Sequence, residues 1–191
     1  MGNFLYSLMI IASQNLTNFD IDLPSDIVFR INLAWVSSID ELIEILKTHQ
    51  DKKIFLDLPI GRLKPPNNKY SIDDLIPLIN EFKQVQYFAV SNVESSSDLQ
   101  KYVDVLPDYV SIVPKIESPT AVTNIEEIVN TIPSSPKVVM LDHDDMFSSI
   151  IRKGESESIF MSKMETLIRY CNEHDVVLLR TVGVIFSDSE K

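Results

Sequence analysis

Short apolar runs rich in β-branched residues alternate with amphipathic segments along most of the chain. Such runs, bounded by polar residues, predict β-strands. A serine that precedes a helical apolar repeat and stands three residues before an acidic residue predicts a helix start, as at Ser38, Ser71 and Ser95. Strands and helices that alternate in this way predict a parallel sheet with helices outside it. The predicted strands are Leu5–Ala12, Ile27–Leu33, Lys53–Leu58, Gln86–Ser91, Tyr109–Ile116, Val138–Leu141 and Val176–Thr181.

One further amphipathic segment, "ESIFMSKMETLIRYCNEH", predicts a long helix near the end of the chain. Its apolar positions recur at helical spacing, so we expect this stripe to face the core and Cys171 to be a buried thiol rather than a nucleophile. The positions in the stripe are Ile159, Met161, Met164, Leu167, Ile168 and Cys171.

The chain lacks the glycine-rich loops of the common nucleotide-binding folds. It has four glycines and contains neither GxGxxG nor GxxxxGK[ST]. The remaining common arrangement of alternating strands and helices is an α/β, TIM (β/α) barrel, which uses eight strands. With about seven strands and no linker, residues 1–191 are expected to form one incomplete barrel domain. Either the tail Val184–Phe186 or dimerisation across the open edge would close it.

Composition narrows the classes of partner. The 191 residues carry 17 Lys and Arg against 28 Asp and Glu, a net charge of −11, without any basic cluster. This argues against nucleic acid and anionic membranes as partners. No apolar run reaches the roughly 18 residues of a membrane span. A single cysteine fits a reducing compartment, so we predict a cytoplasmic protein.

Polar residues gather where the predicted strands end. In a parallel barrel the carboxyl ends of all strands meet at one rim, which is where such folds bind ligands. Cations and carboxylates on one rim indicate a hard divalent metal beside an anionic substrate, and ligands that are all oxygen favour Mg²⁺ or Mn²⁺. The residues are Arg30, Asn32, Asp57, Ser91, Lys115, Glu117, Asp142, Asp144 and Asp145.

Six segments, in order, carry a resemblance to a known family. They are "VFRINLAW", "FLDLPIGRLK", "YSIDDLIPLI" with "VQYFAVSNVESSSDL", "VPKIESPTAVTNIEEI", "MLDHDDM" and "RYCNEHDVVLLRT". Together they resemble pyruvate kinase, within the phosphoenolpyruvate/pyruvate barrel superfamily that also contains HpcH/HpaI-type aldolases and citrate-lyase-type enzymes. The resemblance covers most of the chain and implies a barrel fold.

The resemblance also implies roles for residues at the rim. Glu117 and Asp145 match the ligands of the divalent metal, and Lys115 matches the cation that faces the enolate oxygen. Arg30 matches the phosphate-binding arginine, so Lys115 and Arg30 would be the catalytic residues. Asn32 and Asp57 match members of a monovalent site, which admits K⁺. The residues implied to bind substrate are Arg30, Asn32, Ser91 and Thr181.

The function that the resemblance implies is a Mg²⁺- or Mn²⁺-dependent enzyme acting on phosphoenolpyruvate, pyruvate or a related 2-oxo acid. Two alternatives stay open: an aldolase or lyase that also works through a pyruvate enolate, and a degenerate barrel that binds a partner without catalysis. Between Lys64 and Tyr70 the chain has room for a turn only, so we expect no lid over a nucleotide. An eighth strand and the regulatory domain of pyruvate kinase are likewise expected to be missing.

Overall fold

Seven parallel strands form one sheet that curls into an incomplete barrel. The computed structural model describes residues 11–13, 26–61, 66 and 68–180. Each strand pairs with the next one in the sequence, so the order in the sheet is the order along the chain. The strands are β1 Ile11–Ser13, β2 Val28–Asn32, β3 Lys53–Leu58, β4 Val85–Val90, β5 Ser111–Ile116, β6 Val138–Leu141 and β7 Val177–Arg180.

Helices connect the strands from β2 onwards. Ser38 and Ser71 cap α1 and α2 as predicted, since their hydroxyl oxygens accept from the N–H groups of Glu41 and Asp74. These caps satisfy backbone donors that the first helical turn leaves unpaired. The helices are α1 Ile39–Thr48, α2 Ile72–Glu81, α3 Ser96–Val103, α4 Pro119–Thr123, α5 Ile125–Thr131, α6 His143–Arg152 and α7 Ile159–Glu173.

Several strand limits differ from the predicted ones. β2 ends before Leu33 because Asn32 Oδ1 accepts from the Ala34 N–H and starts a 3-10 turn, Leu33–Trp35. β5 begins later because the Val110 N–H donates to the Pro107 carbonyl and keeps Tyr109 in a turn. β4 is shifted by one residue at each end, and β7 begins one residue later. Most of the predicted Leu5–Ala12 strand, as well as Thr181 and Val184–Phe186, lies outside the described residues.

Helices α4 and α6 begin shortly after the ends of strands β5 and β6. Ser118 caps α4 through the Ala121 N–H, and Asp142 caps α6 through the Asp145 N–H. The prediction that Met161 belongs to the core is wrong, because this side chain is 53% exposed, whereas Leu167 and Cys171 are buried as expected. Ile159, Phe160 and Met164 pack against the core on either side of it, so Met161 lies on the outward side of α7.

Two apolar clusters hold the sheet. The larger one lies between the sheet and the helices and includes Phe29, Ile31 and Leu56. The smaller one lies on the other face, inside the curl, where every second strand residue points. It consists of Val28, Phe55, Ala89, Val113, Val138, Met140 and Leu179, with Ile11, Tyr87 and Val177 packed against it. This inner layer forms the floor beneath the polar rim.

No helix in the described part of the chain combines the length and apolarity needed to cross a membrane. How the barrel is closed, by the tail or by dimerisation, stays a prediction because the tail lies outside the described residues.

Candidate metal and substrate site

The polar rim continues the inward-facing rows of the strands. Two residues beyond an inner apolar residue, the side chain points into the curl again. Phe55 therefore leads to Asp57, Ala89 leads to Ser91, and Val113 leads to Lys115 and then Glu117. The parallel register brings these ends to one edge of the sheet.

Lys115 lies at the centre of the cluster and is 4% exposed. Its Nζ is 2.7 Å from Glu117 Oε1, 3.7 Å from Asp142 Oδ2 and 3.8 Å from Asp57 Oδ2. It also donates to Ser91 Oγ at 3.2 Å. One ammonium group thus interacts with three carboxylates that come from three different strand ends.

Arg30 and Asp57 form an adjacent ion pair between β2 and β3. Arg30 Nε donates to Asp57 Oδ2 at 3.0 Å, and Arg30 NH2 contacts the same oxygen. Asp57 is completely buried, and its Oδ1 has no hydrogen-bond partner within the described residues. Arg30 retains some exposure, with 19% of its side chain accessible. The pair therefore fixes the guanidinium in place while leaving it accessible from the barrel mouth.

Glu117 is held from the other side by the loop that follows β4. Its Oε2 accepts the backbone N–H of Asn92 at 2.7 Å, and the residue is 3% exposed. The next residue, Ser118, caps α4, so Glu117 lies at the junction where the strand passes into a helix.

Three carboxylates lie close enough to share one cation. Glu117, Asp142 and Asp145 each offer an oxygen, and these oxygens lie within 4.8 Å of one another. Such a donor set suits a hard divalent ion. Charge points the same way: Asp57, Glu117, Asp142 and Asp145 outnumber the cations at the cavity, Arg30, Lys115 and Arg152, so the site is net negative. A bound cation would offset that excess of negative charge.

The pKa values of Lys115 and Glu117, the central pair of the cluster, reflect the same excess of negative charge. Burial alone would lower the pKa of Lys115, but Asp57, Glu117 and Asp142 outweigh burial and raise it above its ordinary value. Burial raises the pKa of Glu117, and Asp142 adds to that, while Lys115 and the Asn92 N–H oppose the shift. Lys115 is therefore an ammonium at neutral pH.

A cavity of about 580 Å³ opens onto this cluster. Of the residues predicted for the site, Arg30, Asn32, Ser91, Lys115, Glu117 and Asp145 line it together. Asp57 lies beneath Arg30, away from the cavity surface, and Thr181 lies outside the described residues. The other lining residues are Pro59, Gly61, Asn92, Asp142, Phe147, Ser148, Ile151 and Arg152.

The sequence did not assign a role to Asp142 or to Asn92. Asp142 stood among the strand-end residues, and a signal for it was present, since an aspartate before two further acidic residues is typical of a helix N-terminus. Asn92 gave no signal, because its contact with Glu117 depends on how the loops after β3, β4 and β5 meet.

Neither a protein family nor a curated protein sequence matches the chain. Among solved structures, RipC from Yersinia pestis is similar, with a TM-score of 0.58 and 17% identity over 85% of this chain and 73% of that chain. Haloferax volcanii malate synthase in a lead(II) complex is similar with a TM-score of 0.62 and 11% identity. The match covers 85% of this chain and about half (54%) of the malate synthase chain. At such identities the likeness shows the fold alone, and that fold is barrel-like.

Proposed function

We propose that this chain is a Mg²⁺- or Mn²⁺-dependent, pyruvate-kinase-like enzyme that acts on phosphoenolpyruvate, pyruvate or a related 2-oxo acid through a metal-stabilised enolate. The observation that carries the proposal is the central arrangement of charges. Lys115 lies within 3.8 Å of three carboxylates, and Glu117 with Asp142 also belongs to the group of three that could hold a metal.

Glu117, Asp142 and Asp145 would hold the metal ion. A bound divalent cation supplies a Lewis acid that stabilises negative charge developing on a carbonyl oxygen. The malate synthase of similar fold was solved with lead(II), so a barrel of this kind accepts a divalent ion, although this support is an analogy between folds.

Lys115 supplies a second positive charge beside the same oxygen. In the metal-free site its pKa is raised above the ordinary value, and we infer that it acts as a cation rather than as a base. Preorganised charge of this kind acts strongly in a site that excludes water, since the group does not have to reorient as the reaction proceeds. Its contacts with Ser91 and Glu117 hold it in place.

Arg30 binds the anionic end of the substrate. A guanidinium has five N–H donors, and Asp57 engages two of its nitrogen atoms through one oxygen, so further donors can reach the cavity. A carboxylate or phosphate group bound there would orient a 2-oxo acid with its carbonyl oxygen toward Lys115.

When the enolate of pyruvate forms, the methyl group gives a proton to solvent water in the open cavity, and it takes one back from solvent when the ketone re-forms. Exchange at this methyl group therefore tests the enolate directly. In deuterium oxide with saturating Mg²⁺, proton NMR should show loss of the methyl signal at a rate that depends on the protein. Lys115→Met and Glu117→Gln should each slow this exchange by about 100-fold or more, the scale expected when one stabilising group of a developing oxyanion is lost.

Lys47→Met and Glu44→Gln are matched controls, since both residues are on the exposed surface of α1 and pair with each other there. These variants should exchange at the wild-type rate. Exchange that is absent with Mg²⁺ and Mn²⁺, or that continues without any divalent ion, would contradict the proposal. Complete absence would favour the binding module instead.

A further inference from the structure

The loop after β4 contacts both members of the central pair through two consecutive residues. Ser91 Oγ accepts from Lys115, and the Asn92 N–H donates to Glu117 Oε2 at 2.7 Å. Lys115 and Glu117 are themselves two positions apart, at the end of β5 and just beyond it, so the two contacts run side by side. The orientation of both charged groups therefore depends on the path of this loop.

Asn92 has an unusual backbone conformation. Its φ is 55°, in the left-handed region, and among the described non-glycine residues Asp175 alone shares this feature. Asparagine tolerates this region better than most residues do. At this φ the residue reaches in two directions, because its N–H meets Glu117 beyond β5 while its side-chain Nδ2 contacts the Ile60 carbonyl beyond β3.

Gly61 makes the second of these contacts sterically feasible. A Cβ atom at this position would lie 3.3 Å from Asn92 Nδ2, and the glycine itself has a φ of +68°. Two residues with left-handed backbone thus meet where the loops after β3 and β4 approach each other. Asn92 and Gly61 join these loops directly beside the carboxylate cluster.

We propose that Asn92 is a positioning residue that fixes the Glu117 carboxylate for the divalent ion. The proposal rests on the proposed function, since it assigns Glu117 to the metal. A buried carboxylate that accepts a directed backbone N–H is fixed in rotation, and this decides which oxygen lone pairs face Asp142 and Asp145. Groups that orient metal ligands in this way typically affect metal affinity by about 10- to 100-fold when they are removed.

Manganese titration of three variants separates the effect of the backbone conformation at Asn92 from the effect of its side chain. Asn92→Ala disfavours the left-handed conformation and removes the amide, so it should weaken Mn²⁺ binding by about tenfold or more. Asn92→Gly keeps that conformation and the N–H donor, and should weaken binding by about threefold or less. Asp175→Ala imposes the same backbone strain in the turn between α7 and β7, away from the cavity, and should bind Mn²⁺ like wild type.

A nitrogen-15 NMR spectrum tests the contact itself without a metal. Glu117→Gln removes the negative charge that faces the Asn92 N–H, so the amide proton of Asn92 should move upfield more than the amides of Ser91 and Val93. Wild-type affinity in Asn92→Ala, equal weakening in Asp175→Ala, or an unmoved Asn92 amide would overturn the proposal. A wild-type chain that binds no Mn²⁺ would overturn the proposed function and the metal part of this proposal, while the amide shift would still decide the contact.

Discussion

Replacing Lys115 by methionine should both destabilise the protein and strengthen its binding of Mg²⁺. The substitution keeps most of the side-chain volume but removes the ammonium group that lies within 3.8 Å of Asp57, Glu117 and Asp142. Glu117 would lose its nearest cation while remaining buried. Removing one partner of a buried ion pair lowers the free energy of unfolding by about 3–5 kcal/mol. For a chain of this size that corresponds to a melting temperature lower by about 10 °C.

The gain in metal affinity has the same electrostatic origin. In the wild type, Lys115 repels any cation held by Glu117 and Asp142. A unit charge and a divalent ion about 4 Å apart repel each other by about 8 kcal/mol at an effective dielectric constant of about 20, twice the value for two unit charges. Rearrangement of the site will reduce this repulsion, so we expect the affinity of Lys115→Met for Mg²⁺ to be about tenfold higher than that of wild type, equivalent to about 1.4 kcal/mol. A metal that binds only the folded state raises the free energy of unfolding by RT ln(1 + [Mg²⁺]/Kd), so a variant with a lower Kd gains more at the same metal concentration.

Thermal unfolding followed by circular dichroism, with and without Mg²⁺, measures both effects. Lys115→Met should melt well below wild type without metal and should gain more from Mg²⁺ than wild type does. Lys47→Met, on the exposed surface of α1, should match wild type in both respects because exposed ion pairs contribute little. If Lys115→Met lowers the free energy of unfolding by less than about 1 kcal/mol, this account of the cluster is refuted. It is refuted likewise if Mg²⁺ stabilises wild type and Lys115→Met equally.

Three further results are expected. Burial raises the pKa of Cys171 to about 12, so only the unfolded chain loses this proton as pH rises above 9.0, and wild type should lose about 1 kcal/mol more stability than Cys171→Ala between pH 8 and 10. Tyr70→Phe removes the hydrogen bond from the buried hydroxyl to the Val36 carbonyl at 2.7 Å, and urea unfolding should show a loss of about 1 kcal/mol. Calorimetric titration should detect no micromolar binding of ADP or ATP, because the sequence contains no glycine-rich phosphate loop. Micromolar affinity for either nucleotide would instead favour a complete kinase that uses ATP.

Period-two alternation predicted most of the rim from the sequence. Arg30 and Asn32 share a strand face, as do Lys115 and Glu117, and a parallel sheet brings such ends to one edge. β3 and β6 have the predicted limits because apolar runs with sharp polar boundaries leave little freedom of register. The local sequence pattern was therefore sufficient to predict the architecture of the sheet and the grouping of these charged residues at one edge.

The sequence pattern could not predict which charged side chains of the rim form ion pairs with one another. Asp57 matched a monovalent-cation ligand by resemblance, whereas in the structure its Oδ2 is bonded to Arg30. Alternation says that two side chains face inward, but not which of several charges will be nearest neighbours. That choice depends on side-chain length and on the register between β2 and β3.

Helix α6 shows a different kind of omission. The acidic run after the short strand β6 was interpreted as a strand end at the polar rim, and no helix was assigned from His143 onwards. Its signals were an aspartate cap, Asp142, with acidic residues in the first turn and Arg152 in the last. Because Asp142 serves both as cap and as part of the acidic cluster, recognising the helix would have drawn attention to the third carboxylate.

Occupancy of the cluster by manganese tests the central claim most directly. Crystals grown with Mn²⁺ should give an anomalous difference peak at the barrel mouth, within bonding distance of oxygens of Glu117, Asp142 and Asp145. The same peak should be lost in Glu117→Gln and retained in Glu44→Gln. No peak at saturating Mn²⁺, or a peak that persists unchanged in Glu117→Gln, would contradict the assignment of this rim as a divalent-metal site.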